Sequence, residues 1–315
     1  MKSIYDQIKD LVILSKTILI AGHIDPDGDT LGSMVALKII LEKLGKSAEM
    51  FSQDGVPENY LFLPRSAEIK KAPLLKEYDL LITVDASDLT RVGDLKVKAK
   101  KIINIDHHAD NSNFGDINCV ELLSSVAEQI YKLAKEFNVE ITEEIAQGLY
   151  VSIITDTGNF RYSNTLPSTF HTVCALVGSG VIPWQIASNV YDNRTIPSMK
   201  VLAYALEKIK TAKNGRLIWS TVSLSAIKKK KANHEDLISV IDYLRSVKGI
   251  EIAVFIREEE KNKIKVNFRS RGRANVSKIA RELGGGGHIQ AAGTTLKMPI
   301  AKAEKKVIKT VLKYL

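Results

Sequence analysis

Apolar residues fall into two alternating patterns along the first two thirds of this chain. Thr17-Ile-Leu-Ile20, Asp79-Leu-Leu-Ile-Thr-Val-Asp85 and Lys101-Ile-Ile-Asn-Ile-Asp106 are short apolar runs that read as buried strands, and Ser47 to Ser52 reads as another. Around them, apolar residues recur at helical spacing over residues 3–13, 31–44, 124–137, 142–154, 168–178 and 183–191. Gly45 is a natural helix stop, and Pro183 suits a first helical position. Strand–helix alternation over residues 15–190 predicts an α/β domain, a mostly parallel sheet flanked by helices.

The pattern then changes. Residues 197–210 read as a connecting helix, and Asn214-Gly215 marks a turn. A strand follows over 216–222 and a helix over 234–246. Residues 251–257 and 263–268 form a hairpin around the charged stretch 258–262. Asn275 is placed to cap a helix over 275–283, and 301–314 closes the chain as an amphipathic helix. The expected organisation is a domain over 1–190, a connecting helix and linker over 191–213, and a smaller α+β domain over 214–315.

Composition adds limits. With 315 residues, 45% of them hydrophobic and 26% charged, the chain has the balance of a soluble globular protein of two domains. The net charge of +9 favours an anionic partner. Cys119 and Cys174 belong to no paired motif and read as free thiols in a reducing compartment. No signal peptide is visible at the N-terminus, and no apolar run reaches membrane-spanning length. The expected location is the cytoplasm, with no membrane partner. Lys228 to Lys231 reads as a solvated face.

The candidate chemistry gathers where elements end. Between the first strand and its helix lies Ala21-Gly-His-Ile-Asp-Pro-Asp-Gly-Asp-Thr30, which places His23, Asp25, Asp27 and Asp29 on one turn. Pro26 and Gly28 are expected to keep this turn out of regular helix and fold its carboxylates inward. Asp29 could equally serve as a helix cap. The next two strands end in Asp85 and in Asp106-His107-His108, and the helix over 142–154 runs into Asp156. Outside the carboxyl ends of strands is where open α/β sheets bind ligands. Imidazoles mixed with carboxylates suit a borderline-hard divalent cation, and this supply suffices for two. His107 and His108 are neighbours, so in extended backbone they point opposite ways, one to metal and the other to substrate.

In the second domain, Gly284 to Gly287 can bring backbone N–H groups close to an anion, and His288 adds a donor. Phe268-Arg-Ser-Arg-Gly-Arg273 lies just upstream, and arginine offers phosphate a planar fork of donors. The bland alternative is a plain glycine turn beside a solvated basic strand. Phe160, Arg161 and Tyr162 could stack a base or belong to the core. His171 and His234 read as structural or exposed.

Taken together, His23-x-x-Pro26-Asp27-Gly28-Asp29-x-x-Gly32-Ser33, the strand ending in Asp85, Asp106-His107-His108 and Asp156-Thr-Gly158 resemble the four motifs of the DHH phosphoesterase superfamily. Gly284-Gly-Gly-Gly-His288 with Ala291-Ala-Gly293 resembles its companion DHHA1 domain. The nearest subgroup in layout is the two-domain nanoRNase/pAp-phosphatase type. The resemblance implies that His23 and Asp27 hold one metal, that Asp29, His107 and Asp156 hold the other, and that Asp85 bridges both. Manganese is the ion it implies. His108 would contact the phosphate, and Asp106 would orient the histidine pair. Arg269 or Ser270, with Gly286, Gly287 and His288, would grip the terminal phosphate or sugar. The implied activity is hydrolysis of short oligonucleotides or dinucleotides to mononucleotides, with 3′-phosphoadenosine 5′-phosphate as a further substrate. Alternatives are a cyclic di-AMP phosphodiesterase and, from another class, a nucleotide- or RNA-binding protein without turnover. Expected partners are therefore short RNA or DNA oligonucleotides or a nucleotide, and a homodimer is compatible with the sequence.

Overall fold

In a computed structural model that describes residues 2–272, 274–287 and 289–315, the apolar runs become the inner strands of a parallel sheet. The chain divides into two units, Met1–Asn193 and Arg194–Leu315. In the first, the order is α1 (Ile4–Leu14), β1 (Ile18–Ala21), α2 (Gly28–Lys43), β2 (Ala48–Phe51), β3 (Ile69–Lys70), β4 (Glu77–Val84), β5 (Lys98–Asp106) and β6 (Ile117–Val120), then α3 (Val126–Glu136), α4 (Glu143–Asp156), α5 (Pro167–Gly178) and α6 (Pro183–Tyr191). The six strands pair in parallel in the order β3-β2-β1-β4-β5-β6, with Ile18 opposite both Ala48 and Leu80.

The alternation of side chains along a strand explains the packing. Ile18, Ile20, Leu80, Ile82, Val84, Ile103 and Ile105 join the helices in the main core. Leu19, Ala21 and Leu81 point the other way, into a smaller cluster with Phe51, Tyr78 and Val92, which lies on a 3-10 turn over Leu89–Val92. Helices α2 and α4 touch backbone to backbone. A Cβ on Gly32 would lie 2.2 Å from the Gly148 carbonyl oxygen, and one on Gly148 would lie 2.7 Å from that of Gly32. This contact brings the start of α2 beside the end of α4.

The second unit contains α7 (Ile196–Glu207), β7 (Lys210–Ala212), β8 (Leu217–Val222), α8 (Leu224–Lys229), α9 (Val240–Ser246), β9 (Ile252–Glu260), β10 (Lys263–Ser270), α10 (Val276–Glu282), β11 (Gly286–Gly287), β12 (Ala291–Lys297) and α11 (Ile300–Val311). Its sheet runs β11-β12-β10-β9-β8-β7, antiparallel except for the parallel β8–β9 pair. Leu217, Val254, Ile256, Val266 and Phe268 face α10 and α11, whereas Ile218, Ala253 and Phe255 face α7, α8 and α9. Val201, Leu202 and Ala205 of α7 belong to that second core, so the segment read as a connector packs into this unit.

Three sequence expectations need correction. Helix α2 begins at Gly28, not Leu31, because Asp27 caps it and glycine is tolerated in a first turn. The helix expected over 234–246 is a 3-10 turn, Glu235–Leu237, followed by α9. Asn233 and Asp236 bond each other's backbone N–H, at 2.8 and 2.9 Å, and close this first turn as a reciprocal cap. Gly286 and Gly287 pair with Gly293 and Ala292 as strand β11, where a loop was expected.

Candidate active site

The strand order reverses between β1 and β4, and ligands of open α/β sheets bind at such a switch point. His23 and Asp85 leave these two strands there. Asp85 has φ 56°, the left-handed region, which turns its carboxylate back over the strand ends. Such a backbone costs about 1–2 kcal/mol in a residue other than glycine. The Thr30 hydroxyl donates to Asp85 Oδ2 at 2.7 Å and holds it there.

The first turn of α2 supplies two acids with different surroundings. Asp27 Oδ1 accepts from the backbone N–H groups of Asp29 and Thr30 at 2.9 and 3.2 Å. Asp29 is therefore not the cap. It is buried, and Oδ1 accepts from the hydroxyls of Ser152 and Ser33 at 2.5 and 3.2 Å, while Oδ2 accepts from the Val126 N–H at 3.2 Å. Asp156 ends α4, where Asn164 Nδ2 donates to its carboxylate and to its carbonyl, both at 3.1 Å.

Both ligand-type histidines have one nitrogen against a backbone carbonyl. His23 Nδ1 lies 2.6 Å from the Ile24 oxygen, and His107 Nδ1 lies 3.1 Å from the Leu123 oxygen. A carbonyl only accepts, so Nδ1 carries the hydrogen in each ring and Nε2 is turned to the carboxylates. His23 Nε2 is 3.2 Å from Asp85 Oδ2 and 4.0 Å from Asp27 Oδ1. His107 Nε2 is 3.4 Å from Asp29, 3.6 Å from Asp85 Oδ1 and 3.8 Å from Asp156. Asp85 thus has one oxygen toward each imidazole.

His108 is bound differently. Its Nδ1 bonds Asp106 Oδ1 at 2.7 Å and lies 3.7 Å from Asp85 Oδ1. Asn111 Nδ2 donates to the other Asp106 oxygen at 2.5 Å and to Asn104 Oδ1 at 2.7 Å, which anchors the whole strand end. The rings of His107 and His108 meet edge to face at 5.1 Å. The sequence reading turns the two rings to opposite sides; the structure brings both within reach of Asp85, because His107 and His108 lie beyond the last paired residue of β5.

So many buried charges perturb one another. Burial pushes Asp29 well above the ordinary carboxylate range, and the Asp85 charge adds to it. Burial likewise lifts Asp156 to about 6 against the opposing charge of His107, and the Asp27 and Asp85 charges add to the rise. Burial would also raise Asp85, but bonds to His107 and His23 hold it well below the usual range. Burial would lower His23 and His107. Asp85 overrides it, taking His23 to about 9 and His107 well above the ordinary imidazole value. Asp106 stays low because its bond to His108 outweighs burial.

The donor atoms form groups within 4.8 Å: His23, Asp27 and Asp85; Asp29, His107 and Asp156; and Asp85, His107 and His108. Clustered anionic oxygens and imidazole nitrogens presented by Nε2 fit divalent cations. Asp25 lies apart, with its backbone N–H donating to Asp54 at 2.7 Å.

In the second unit, Arg269 and Ser270 end β10. Arg269 Nε lies 3.9 Å from Asp242 Oδ1. The Ser270 hydroxyl is buried, 3.5 Å from the Ile289 carbonyl. Gly287 has φ +130°, and a Cβ there would meet the Ala291 oxygen at 2.6 Å. His288 lies outside the described residues. Phe160 stacks on Phe170 with ring centroids 5.5 Å apart, and His171 and His234 are exposed.

Sequence reading does not single out Thr30, Ser152, Asn111, Asn164 and Gly148. Ser152 does leave a trace, a hydroxyl inside an apolar run, one helical turn before Asp156. The others act through partners that sequence spacing does not reveal.

Comparison with known proteins agrees with this geometry. Residues 17–153 match the DHH family, N-terminal domain, and residues 214–315 match the DHHA1 domain. A protein of Thermus thermophilus named bifunctional oligoribonuclease and PAP phosphatase NrnA is 34% identical over 301 residues, covering 93% of this chain and 89% of that one. The Bacillus subtilis protein of the same name is 28% identical over 291 residues, covering 90% and 91%. An exopolyphosphatase-related protein from Bacteroides fragilis shares the fold with a TM-score of 0.89 at 24% identity, covering 99% of this chain and 96% of that one.

Proposed function

The chain belongs to the DHH phosphoesterase family with a DHHA1 domain, and from that premise we propose that it is a metal-dependent hydrolase of short oligonucleotides and 3′-phosphoadenosine 5′-phosphate, releasing mononucleotides. The observation that carries this reading is Asp85, with Oδ2 3.2 Å from His23 and Oδ1 3.6 Å from His107, each imidazole standing in its own carboxylate group.

His23 and Asp27 would hold one divalent ion and Asp29, His107 and Asp156 a second, with Asp85 within reach of both groups. Manganese suits this mixture of imidazole and carboxylate. Bound there, such ions would supply positive charge for the phosphoryl oxygens and lower the pKa of a bound water. The chain's own groups do the rest. Thr30 fixes the shared carboxylate. Asp106, held anionic, accepts from His108 Nδ1, so Nε2 is the atom that meets the phosphate or the leaving oxygen. In the second unit, Arg269 or Ser270 and the backbone of Gly286 and Gly287 bind the nucleotide's far phosphate or sugar, and His288 is a further candidate donor by sequence.

A substrate panel with purified protein and manganese tests the reading. A two-nucleotide RNA, a long single strand, cyclic di-AMP and 3′-phosphoadenosine 5′-phosphate are compared. Fast mononucleotide release from the dinucleotide, with little attack on the long strand, is the expected result. Preference for the cyclic dinucleotide moves the protein into second-messenger turnover. Tight binding without product returns the non-catalytic alternative.

A further inference from the structure

Four consecutive residues, from the end of the β6–α3 connection into α3, reach every member of one donor group. The Leu123 carbonyl accepts from His107 Nδ1 at 3.1 Å. The Ser124 carbonyl accepts at 2.9 Å from Asn164 Nδ2, the same amide that donates to Asp156. Ser125 Oγ lies 3.3 Å from the Ser152 hydroxyl, which donates to Asp29. The Val126 N–H donates to Asp29 directly, at 3.2 Å. The other group is held elsewhere: His23 is bonded to the Ile24 carbonyl, and Asp27 to the N–H groups of Asp29 and Thr30.

Glu128, in the first turn of α3, holds the four-residue segment. It is 1% exposed. One oxygen, Oε1, accepts from the Ser124 N–H at 3.1 Å, from the Ser124 hydroxyl at 2.5 Å and from the Thr169 hydroxyl of α5 at 3.0 Å. A carboxylate taken out of water is costly unless donors meet it, and here they come from the segment and from a second helix. An ordinary helix cap does not account for this. In a capping box the glutamate reaches back to the N–H of the N-cap residue, which here is Ser125. Glu128 reaches one residue further, onto Ser124.

We propose that Glu128 is a positioning residue for the second divalent ion, the one assigned to Asp29, His107 and Asp156, and that it acts by fixing residues 123–126. The proposal rests on the two-ion reading above. Without Glu128, Ser124 loses its anchor. The carbonyl on His107, the carbonyl on Asn164 and the N–H on Asp29 then lose their common support.

Manganese titration of the full chain, with free ion read by electron paramagnetic resonance, is paired with imidazole NMR of the metal-free protein. Wild type should bind two ions and show slowly exchanging Nδ1–H signals from His23 and His107. In Glu128→Ala one ion should bind about 10- to 100-fold more weakly and the other within about 2-fold of wild type. The His107 Nδ1–H signal should be lost while that of His23 persists. Glu128→Gln keeps the size and an acceptor at Oε1, and should weaken the same ion by a smaller factor; it decides the matter if the alanine variant does not fold. Leu133→Ala opens a cavity in the same helix, so it should lower the Tm yet leave both ions and both signals in place. Equal weakening of both ions, wild-type affinity for both in the folded Glu128 variants, or the same selective loss in Leu133→Ala would overturn the proposal. A wild type that binds fewer than two ions contradicts the two-ion reading itself, and the proposal falls with it.

Discussion

Asp85 and Arg269 each stand at the end of an inner strand, one in each unit, and the proposed function gives both a phosphate ester to meet. Asp85 is 3% exposed, bonded by Thr30 and set between two imidazoles whose other nitrogens are committed to backbone. The Arg269 side chain is 26% exposed, and its Nε lies 3.9 Å from Asp242. The first unit therefore holds its charged groups fixed at an electrostatic cost that a cation relieves. In the second, the Arg269 guanidinium is partly exposed, where on the proposed reading a substrate anion meets it. Rigid placement serves the reacting atoms, and adaptable contact serves substrates that differ beyond them.

The largest effect should come from breaking the rigid half. Asp85→Asn keeps the shape but removes the shared charge. Turnover of a dinucleotide should fall by more than about 1,000-fold at saturating manganese, read as single-turnover product release. Gly148→Leu tests the scaffold beneath it. The new side chain meets the Gly32 carbonyl, so α2 and α4 must part, and Asp29 must move away from Asp156. A stability loss of at least about 1–3 kcal/mol in urea, with weakened metal binding by calorimetry, is the expected outcome.

The adaptable half should respond differently. Arg269→Ala removes a charged donor that, on the proposed reading, meets substrate and not metal. It should raise KM about 10- to 100-fold while kcat changes far less and manganese affinity not at all. An equal fall in kcat would place Arg269 with the reacting atoms and erase the contrast between the units.

The smallest effect is on pH dependence. Without metal, His23 titrates near 9 instead of 6.5, so the folded chain binds a proton that the unfolded chain has lost. The stability this proton gives is fully present below pH 6.5 and lost as pH rises through about 9. Asp156, lifted to about 6, acts with the same sign at lower pH. Cations bind the deprotonated groups, so the Tm difference between manganese-loaded and chelated protein should widen from pH 6.5 to pH 9. A constant difference would mean that these groups do not release protons to the metal.

What the sequence makes legible here follows from locality. His23, Asp85, Asp106 and Asp156 are readable because each directly follows or ends an apolar element, and the parallel alternation brings those ends to one edge. The same locality accounts for α6, found over 183–191 as expected. It fails where geometry depends on distant partners. Gly148 looks like an ordinary helix glycine until Gly32 is set against it. Asn164 carries no local signal, and its part shows only when its amide is seen on Asp156. Strand β12 has too few large apolar residues to show a period, and it forms because Ala292, Thr294 and Leu296 face inward beside β10. The capping role belongs to Asp27, not Asp29, because the helix accepts Gly28 in its first turn.

The central claim is that one carboxylate joins two metal groups, and electron paramagnetic resonance of the manganese-loaded protein tests it most directly. Wild type should bind two ions per chain and show an exchange-coupled dimanganese spectrum, which Asp85→Asn converts to uncoupled signals. One ion per chain, or two uncoupled ions in wild type, would contradict the shared-carboxylate account.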